Sequence, residues 1–181
     1  TRNAVTMREA LNLGAWAIND ISSLSYDSES VAVAKEYQVP VFIMHMQGVP
    51  QNMQENPSYY NVVEDVFNHL KCRVDYCDTH GIDINNLVLD VGIGFGKTLE
   101  HNLLLLRNIR RFHDLGCPLL LGTSRKSFIG KISNGDPPDQ RLGGSLSSVL
   151  WGLQQGVQFF RVHDVQETCQ AFDVYRAITS V

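Results

Sequence analysis

Residues 87–98 read LVLDVGIGFGKT. An apolar run at 87–89 meets a carboxylate at Asp90, and three glycines and Lys97 follow within seven residues. A continuous apolar run without alternating polar side chains is typical of a strand covered on both faces, as in a parallel sheet between helices. Glycines after such a strand let the backbone approach a ligand closely. We therefore predict a buried parallel strand that carries a binding loop at its carboxyl end.

Two nucleotide-binding motifs resemble this loop, and neither fits it. A P-loop requires glycine at the position of Val91, and the dinucleotide fingerprint requires a third glycine at the position of Lys97. The sequence therefore argues against a nucleotide site. Phe95 offers a flat apolar face to a ligand, although the segment taken alone fits a flexible connecting loop equally well.

Apolar runs of the same kind recur along the chain, each beside a segment with helical periodicity. We predict strands at Ala15–Ile18, Val39–Met44, Leu87–Val91, Pro118–Leu121 and Val157–Val162. We predict helices at Thr6–Leu13, at Ser28–Gln38, from Val62 to near Gly81, and at Asn102–Leu115, Ser145–Gln155 and Val165–Ile178. Strands and helices that alternate without a repeat or a linker indicate one α/β domain.

This order of elements fits two architectures, an open doubly wound sheet and a closed eight-stranded barrel. Polar residues end or follow all five predicted strands, at Asn19-Asp20, His45, Asp90, Ser124-Arg125-Lys126 and 161–164. A barrel gathers all such strand ends around one mouth, whereas an open sheet uses mainly those at its switch point. We therefore favour a (β/α)8 TIM barrel, in which residues 1–181 form a single partial domain covering about strands 4 to 8. Because only five units are counted and the chain opens at Thr1 without Met, we expect a fragment.

The composition argues against several classes of protein. The chain has 181 residues, of which 44% are apolar and 19% charged. No apolar run approaches the roughly 20 residues of a membrane span, and no segment reads as a secretion signal. With 15 basic and 19 acidic side chains, the net charge of −4 argues against nucleic acid as the partner. The four scattered cysteines indicate a reducing, cytoplasmic setting and no disulfide scaffold.

His69, Cys72, Cys77 and His80 have the residue types of a zinc site but not its geometry. On one helix, the first and last of them would lie roughly 16 Å apart, because each residue rises about 1.5 Å. Ligands of one zinc ion lie about 2.0 to 2.3 Å from it. We therefore expect no metal here and expect Cys77 to pack in the core.

Two cationic segments indicate a small anionic ligand. Alternation along the last strand places Arg161 and His163 on one face, where a buried guanidinium needs an anionic ligand or a partner such as Asp90 or Asp164. Residues 122–127 read GTSRKS and follow a fully apolar strand, so hydroxyls and two cations share the same mouth. The alternative for Lys126 is a solvated surface lysine.

The carboxyl and amide side chains also have two explanations each. Asn19-Asp20 fits a cap for the next helix. Asp90 ends a buried run, where an ionised carboxylate needs hydrogen-bond donors. A planar ligand with two adjacent N–H groups would satisfy both of its oxygens.

Taken together and in order, these segments closely resemble the dihydropteroate synthase family over essentially the whole chain. The Ser-Arg-Lys-Ser element separates that family from other pterin-binding barrels, such as methyltetrahydrofolate methyltransferases. The matching segments are Asn19-Asp20, Met44-His45-Met46-Gln47-Gly48, the Asp90–Lys97 loop, the 122–127 segment and Arg161-Val162-His163-Asp164.

The resemblance implies a transferase of folate biosynthesis that joins (7,8-dihydropterin-6-yl)methyl diphosphate to 4-aminobenzoate, giving 7,8-dihydropteroate and diphosphate. It implies Mg²⁺ as cofactor, sulfonamides as inhibitors and a homodimer formed through helices that include 149–153 and 172–178. Pterin binding would fall to Asn19, Met44, Asp90, Gly94, Lys126 and Arg161, and diphosphate binding to Arg161 and His163. The 4-aminobenzoate would lie against Phe95, Ser124, Arg125 and Ser127, and the catalytic roles would belong to Asp90, Lys126, Arg161 and His163.

The chain departs from the family pattern in two places. Val91 stands where the family commonly has proline, and we expect little consequence. The family's first three strands, with their metal-binding Asn, have no counterpart here, so we expect the Mg²⁺ ligand outside this chain and no competent synthase from these residues alone. Two alternatives remain: a truncated, non-catalytic pterin-binding module, and another phosphate-binding barrel enzyme.

Overall fold

A computed structural model describes residues 1–180 as a parallel sheet covered on one side by helices. The strands are β1 Ile18–Asp20, β2 Val41–Met44, β3 Leu87–Asp90, β4 Leu119–Leu121 and β5 Phe159–Phe160. The α-helices are α1 Ala4–Asn12, α2 Ser30–Tyr37, α3 Val62–Thr79, α4 Leu99–Arg107, α5 Ser127–Ile132, α6 Leu142–Gln154 and α7 Val165–Thr179. Short 3₁₀ segments lie at Ile84–Asn86, Ile109–Leu115 and Pro138–Gln140.

The strand order distinguishes the two candidate architectures. All four strand pairs are parallel, and the order in the sheet is the order in the chain, β1 to β5. A doubly wound sheet reverses its order at a switch point, and the five described strands contain no reversal. The sequence prediction of a barrel segment is therefore confirmed.

The curvature of the sheet supports the same conclusion. Phe42 on β2 and Phe159 on β5 are separated by two strands, yet their ring centroids lie 5.6 Å apart. In a flat sheet, three strand spacings would separate them by about 14 Å. The sheet is therefore strongly curved, and these two side chains meet on its concave face.

Both faces of the strands are apolar, as the continuous apolar runs predicted. The convex face packs against the helices in a large core that includes Ile43, Leu70, Leu89 and Phe112. A smaller cluster of Phe42, Val88 and Leu120 lines the concave face. The described chain has no helix long and apolar enough to cross a membrane.

Several element boundaries differ from the sequence prediction. The first strand begins at Ile18, where its ladder with Val41 starts, so Asn19 and Asp20 lie within the strand. The predicted helix at 102–115 is instead α4 followed by a 3₁₀ segment. Helix α4 ends at Arg107, and the side-chain amide of the next residue, Asn108, donates to the Leu104 carbonyl at 2.8 Å, a kind of bond that competes with the helical backbone pattern. Apolar periodicity did not predict the six-residue helix α5.

The contact between Phe42 and Phe159 gives a direct test of curvature. We expect a double-mutant cycle with Phe42→Ala and Phe159→Ala to show a coupling of about 0.5–1.5 kcal/mol in the free energy of unfolding, the usual range for an aromatic pair. Denaturant titration of the four proteins measures it. Additive losses would contradict the curved sheet.

Candidate functional site

The carboxyl ends of the strands meet around the buried carboxylate of Asp90. This side chain ends β3, and the residue is only 3% exposed. Its Oδ1 accepts a hydrogen bond from the Gly92 N–H at 2.8 Å, and its Oδ2 accepts one from Arg161 Nη2 at 3.0 Å. The internal ion pair considered for Arg161 is therefore present, while 40% of the Arg161 side chain remains exposed toward the concave face.

A glycine gives Arg161 room to reach across the mouth. A Cβ atom at Gly122, just after β4, would lie 2.7 Å from Arg161 Nη2. The guanidinium therefore crosses directly over the end of β4 to reach β3. This close approach explains why glycine follows the apolar strand at this position.

Lys126 and Phe95 lie together beside this ion pair. Lys126 Nζ is 4.2 Å from the centroid of the Phe95 ring, a cation–π contact. Burial lowers the pKa of Lys126, and the charge of Asp90 opposes that shift. A Cβ atom at Gly94 would lie 3.3 Å from Lys126 Cδ. The solvated surface position considered for Lys126 is therefore wrong, because its side chain packs over the glycine-rich loop.

Arg125 forms a separate ion pair with Asp164. Its Nε donates to Asp164 Oδ2 at 3.1 Å, and its Nη2 donates to Oδ1 of the same carboxylate. This pair lowers the pKa of Asp164 and raises that of Arg125. The residue has a positive φ of 57°, and its N–H donates to Ser145 Oγ at 2.9 Å. A contact of Arg125 with 4-aminobenzoate stays a prediction, and its guanidinium already has a carboxylate partner.

Ser124 and His163 link the ends of β4 and β5. The His163 N–H donates to Ser124 Oγ at 3.1 Å, and His163 Nδ1 lies 3.0 Å from the same oxygen. Ser124 is buried, whereas His163 is exposed at the mouth. Ser127 is exposed and is the first residue of α5.

The two polar residues of β1 have separate positions. Asn19 is exposed and pairs in register with Phe42 of the concave face. Asp20 is buried, and its carboxylate accepts hydrogen bonds from the Ser22 and Leu24 N–H groups at 2.8 and 2.9 Å. Asp20 therefore does not cap the next helix, as the sequence had allowed. Its carboxylate stabilises the turn after β1, and α2 begins only at Ser30. Met44 is buried at the end of β2.

Sequence reasoning missed the role of Lys97 in this site. The residue is 2% exposed, and its Nζ lies 2.9 Å from His45 Nδ1. Burial lowers the pKa of Lys97 to about 7, with Asp90 opposing and Lys126 adding to the shift. Burial and Lys97 also lower the pKa of His45 to about 2, so its imidazole is neutral. The one feature of the sequence that could have indicated a buried Lys97 is its position directly after the glycine-rich segment that follows an apolar strand.

The His and Cys residues with the composition of a zinc site lie along α3, except His80, which follows its last residue. His69 is half-buried, Cys77 is buried as expected, and Cys72 and His80 are exposed. Among residues 1–180, no group of three or more His, Cys, Asp or Glu side chains is placed to hold a metal ion.

Comparisons with known proteins identify relatives of this chain. The family model described as pterin binding enzyme matches residues 1–163. Dihydropteroate synthase from Haemophilus influenzae is 45% identical over 174 residues, which is 96% of this chain. The crystal structure of the Yersinia pestis dihydropteroate synthase in a sulfonamide drug complex matches 99% of this chain, with a TM-score of 0.95 and 40% identity.

A third enzyme has been solved with two relevant ligands. Dihydropteroate synthase from Xanthomonas albilineans in complex with 7,8-dihydropteroate matches 100% of this chain, with a TM-score of 0.93 and 36% identity. A structure of the same enzyme with 4-aminobenzoic acid has a TM-score of 0.92. The chain spans 62% of the length of the Haemophilus protein and 65% of the Yersinia chain.

Gly92 gives a testable constraint on the loop. A Cβ atom there would lie 1.9 Å from the His45 carbonyl oxygen, and φ is +70°. Gly116 has φ of +77° with nothing within 4 Å of its Cβ position, so Gly116→Ala is a matched control. We expect Gly116→Ala to cost about 1 kcal/mol of unfolding free energy from backbone strain, and Gly92→Ala roughly 1–3 kcal/mol more from overpacking. Equal losses in denaturant titrations would contradict the close approach.

Proposed function

The chain belongs to the pterin-binding enzyme family, and we propose that it is the part of a dihydropteroate synthase that carries the pterin and 4-aminobenzoate sites. The proposed reaction joins (7,8-dihydropterin-6-yl)methyl diphosphate to 4-aminobenzoate and releases diphosphate. Related enzymes have been solved with 7,8-dihydropteroate, 4-aminobenzoic acid and a sulfonamide drug. These structures support the choice of substrates and of sulfonamides as inhibitors.

The proposal is based mainly on the ion pair between the buried Asp90 carboxylate and the partly exposed Arg161 guanidinium. Each Asp90 oxygen has one donor, from Gly92 or Arg161, and each carboxylate oxygen can accept a second hydrogen bond. A planar heterocycle with two adjacent N–H groups fits those remaining positions. Lys126 lies on the same side and can donate to a ring carbonyl or nitrogen. The exposed face of Arg161 can stack on the ring.

The proposed chemistry is electrostatic stabilisation of a leaving group. Arg161 and His163 lie at the end of β5 and can donate to the diphosphate as its bond to the pterin methylene breaks. The electron-deficient pterin that remains is then attacked by the amine nitrogen of 4-aminobenzoate, which loses a proton. Phe95 supplies a flat surface for the aromatic amine, with Ser124 and Ser127 at the adjacent end of β4.

The resemblance to the family implies a Mg²⁺ ion for this reaction. Among residues 1–180, no three carboxylate, imidazole or thiol groups converge on one point. The expectation that a Mg²⁺ ligand lies outside this chain stays a proposal. No step of the chemistry above is assigned to the ion.

A homodimer in the cytoplasm is also proposed. The helices expected to carry the interface present Trp151, Val174 and Ile178 to the surface. Val149, which was included in that surface, is fully buried and belongs to the core. Sedimentation of the full-length protein at twice the mass of one chain would support the dimer, and a single-chain mass would contradict it.

Replacement of the central carboxylate tests the function. In the full-length protein, we expect Asp90→Asn to lower kcat/KM with pterin diphosphate, 4-aminobenzoate and Mg²⁺ by about 10- to 100-fold, because hydrogen bonds to a charged group are lost. Asp78→Asn, at an exposed position on α3, is the control.

The measurement also separates the alternatives. Synthase turnover in the unsubstituted protein, reduced by Asp90→Asn and kept by the control, supports the proposed function. Pterin binding without turnover would favour a non-catalytic pterin-binding module. Binding of another phosphorylated ligand without pterin binding would favour a different barrel enzyme.

A further inference from the structure

Lys97 is a buried lysine beneath the glycine-rich loop that none of the proposed contacts to substrate uses. Its Nζ lies 2.9 Å from His45 Nδ1, 3.0 Å from the Phe95 carbonyl oxygen and 3.4 Å from the His45 carbonyl oxygen. In its protonated form the lysine has three N–H groups, which match these three neighbours. The lysine therefore ties the end of β2 to the loop that follows β3.

The backbone on both sides of Phe95 is held in the same way. The Gly94 carbonyl accepts a hydrogen bond from Gln54 Nε2, and the Gly96 carbonyl accepts one from Tyr59 Oη at 2.7 Å. With Lys97 on the Phe95 carbonyl, side chains hold three successive carbonyl groups. Gln54 and Tyr59 both come from the segment between β2 and α3. The loop is thus anchored along its backbone, while the Phe95 ring contacts Lys126.

We propose that Lys97 is a positioning residue for the aromatic amine substrate: it holds the Phe95 carbonyl so that the ring stays in place beside Lys126. The inference rests on the proposed function, since it requires 4-aminobenzoate to lie against Phe95. Asp90 accepts its hydrogen bonds from Gly92 and Arg161, whereas Lys97 makes its hydrogen bonds to His45 and Phe95. The loss of Lys97 should therefore affect the two substrates unequally.

Steady-state kinetics of the full-length protein test this asymmetry. We expect Lys97→Met to raise the KM for 4-aminobenzoate about tenfold, because the hydrogen bond that holds the Phe95 carbonyl is lost. The KM for the pterin diphosphate and kcat should change by less than about threefold. Lys71→Met is the matched control, because Lys71 is exposed on α3 and pairs only with Asp75 among the described residues. Equal increases in both KM values, or no increase, would overturn the proposal.

A second variant tests the inference if the Lys97→Met protein does not fold. Tyr59→Phe removes only the hydroxyl that holds the Gly96 carbonyl, so it should raise the KM for 4-aminobenzoate in the same selective way. An unchanged KM in a folded Tyr59→Phe protein would overturn the inference in that case.

Amide hydrogen exchange separates this inference from the proposed function. The Gly94 N–H donates to Asn102 Oδ1 at 2.7 Å and the Phe95 N–H donates to the Gly92 carbonyl at 3.1 Å, so both amides should exchange slowly. Faster exchange at these two amides in Lys97→Met, or in Tyr59→Phe if the first variant does not fold, supports the anchor. Equal exchange overturns it, whatever the activity. Absence of synthase activity in the unsubstituted protein would contradict the proposed function alone.

Discussion

The buried carboxylate of Asp90 is the group on which the rest of the site depends. An ionised carboxylate removed from water needs hydrogen-bond donors, and here they come from the Gly92 N–H and from Arg161. The first donor requires the chain to turn sharply after β3. The second requires a guanidinium from the end of β5 to cross over β4 at Gly122, where a Cβ atom would obstruct it. One charge thus sets the shape of a loop and the arrangement of three strand ends.

Close backbone approach is the second constraint, and it accounts for the glycines of the loop. Gly92 and Gly96 both have positive φ, and their Cβ positions lie 1.9 and 2.4 Å from the carbonyl oxygens of His45 and Gln47. The segment after β2 can therefore lie directly on the loop after β3. In that position it supplies Gln54 and Tyr59, which hold two of the loop carbonyls. The loop after β3 is thus held by side-chain hydrogen bonds and is not the flexible connection that the sequence also allowed.

The sequence predicted the β-strands and the mouth better than the details within it. Continuous apolar runs are a local property, so the five strands and the polar residues at their ends could be read directly. The segment predicted as one helix at 102–115 changes from α-helix to 3₁₀ helix at Asn108, whose side chain also bonds to the Leu104 carbonyl, and apolar periodicity does not report such a change. The burial of Val149 depends on which face of α6 meets the sheet. Lys97 was considered as a mismatch to the dinucleotide fingerprint and as the last residue of the Asp90–Lys97 segment, but with no role of its own, because burial of a lysine cannot be read from its neighbours in sequence.

The sequence by itself determined an α/β chain with parallel strands, polar carboxyl ends and a close resemblance to one enzyme family. Only the tertiary structure decided which charges pair with which. Asp90 and Arg161 are 71 residues apart, and Arg125 and Asp164 are 39 residues apart. The sequence left both Asp90 and Asp164 open as partners of Arg161. The choice depends on the curvature of the sheet, which brings side chains from non-adjacent strands within hydrogen-bond distance on the concave face.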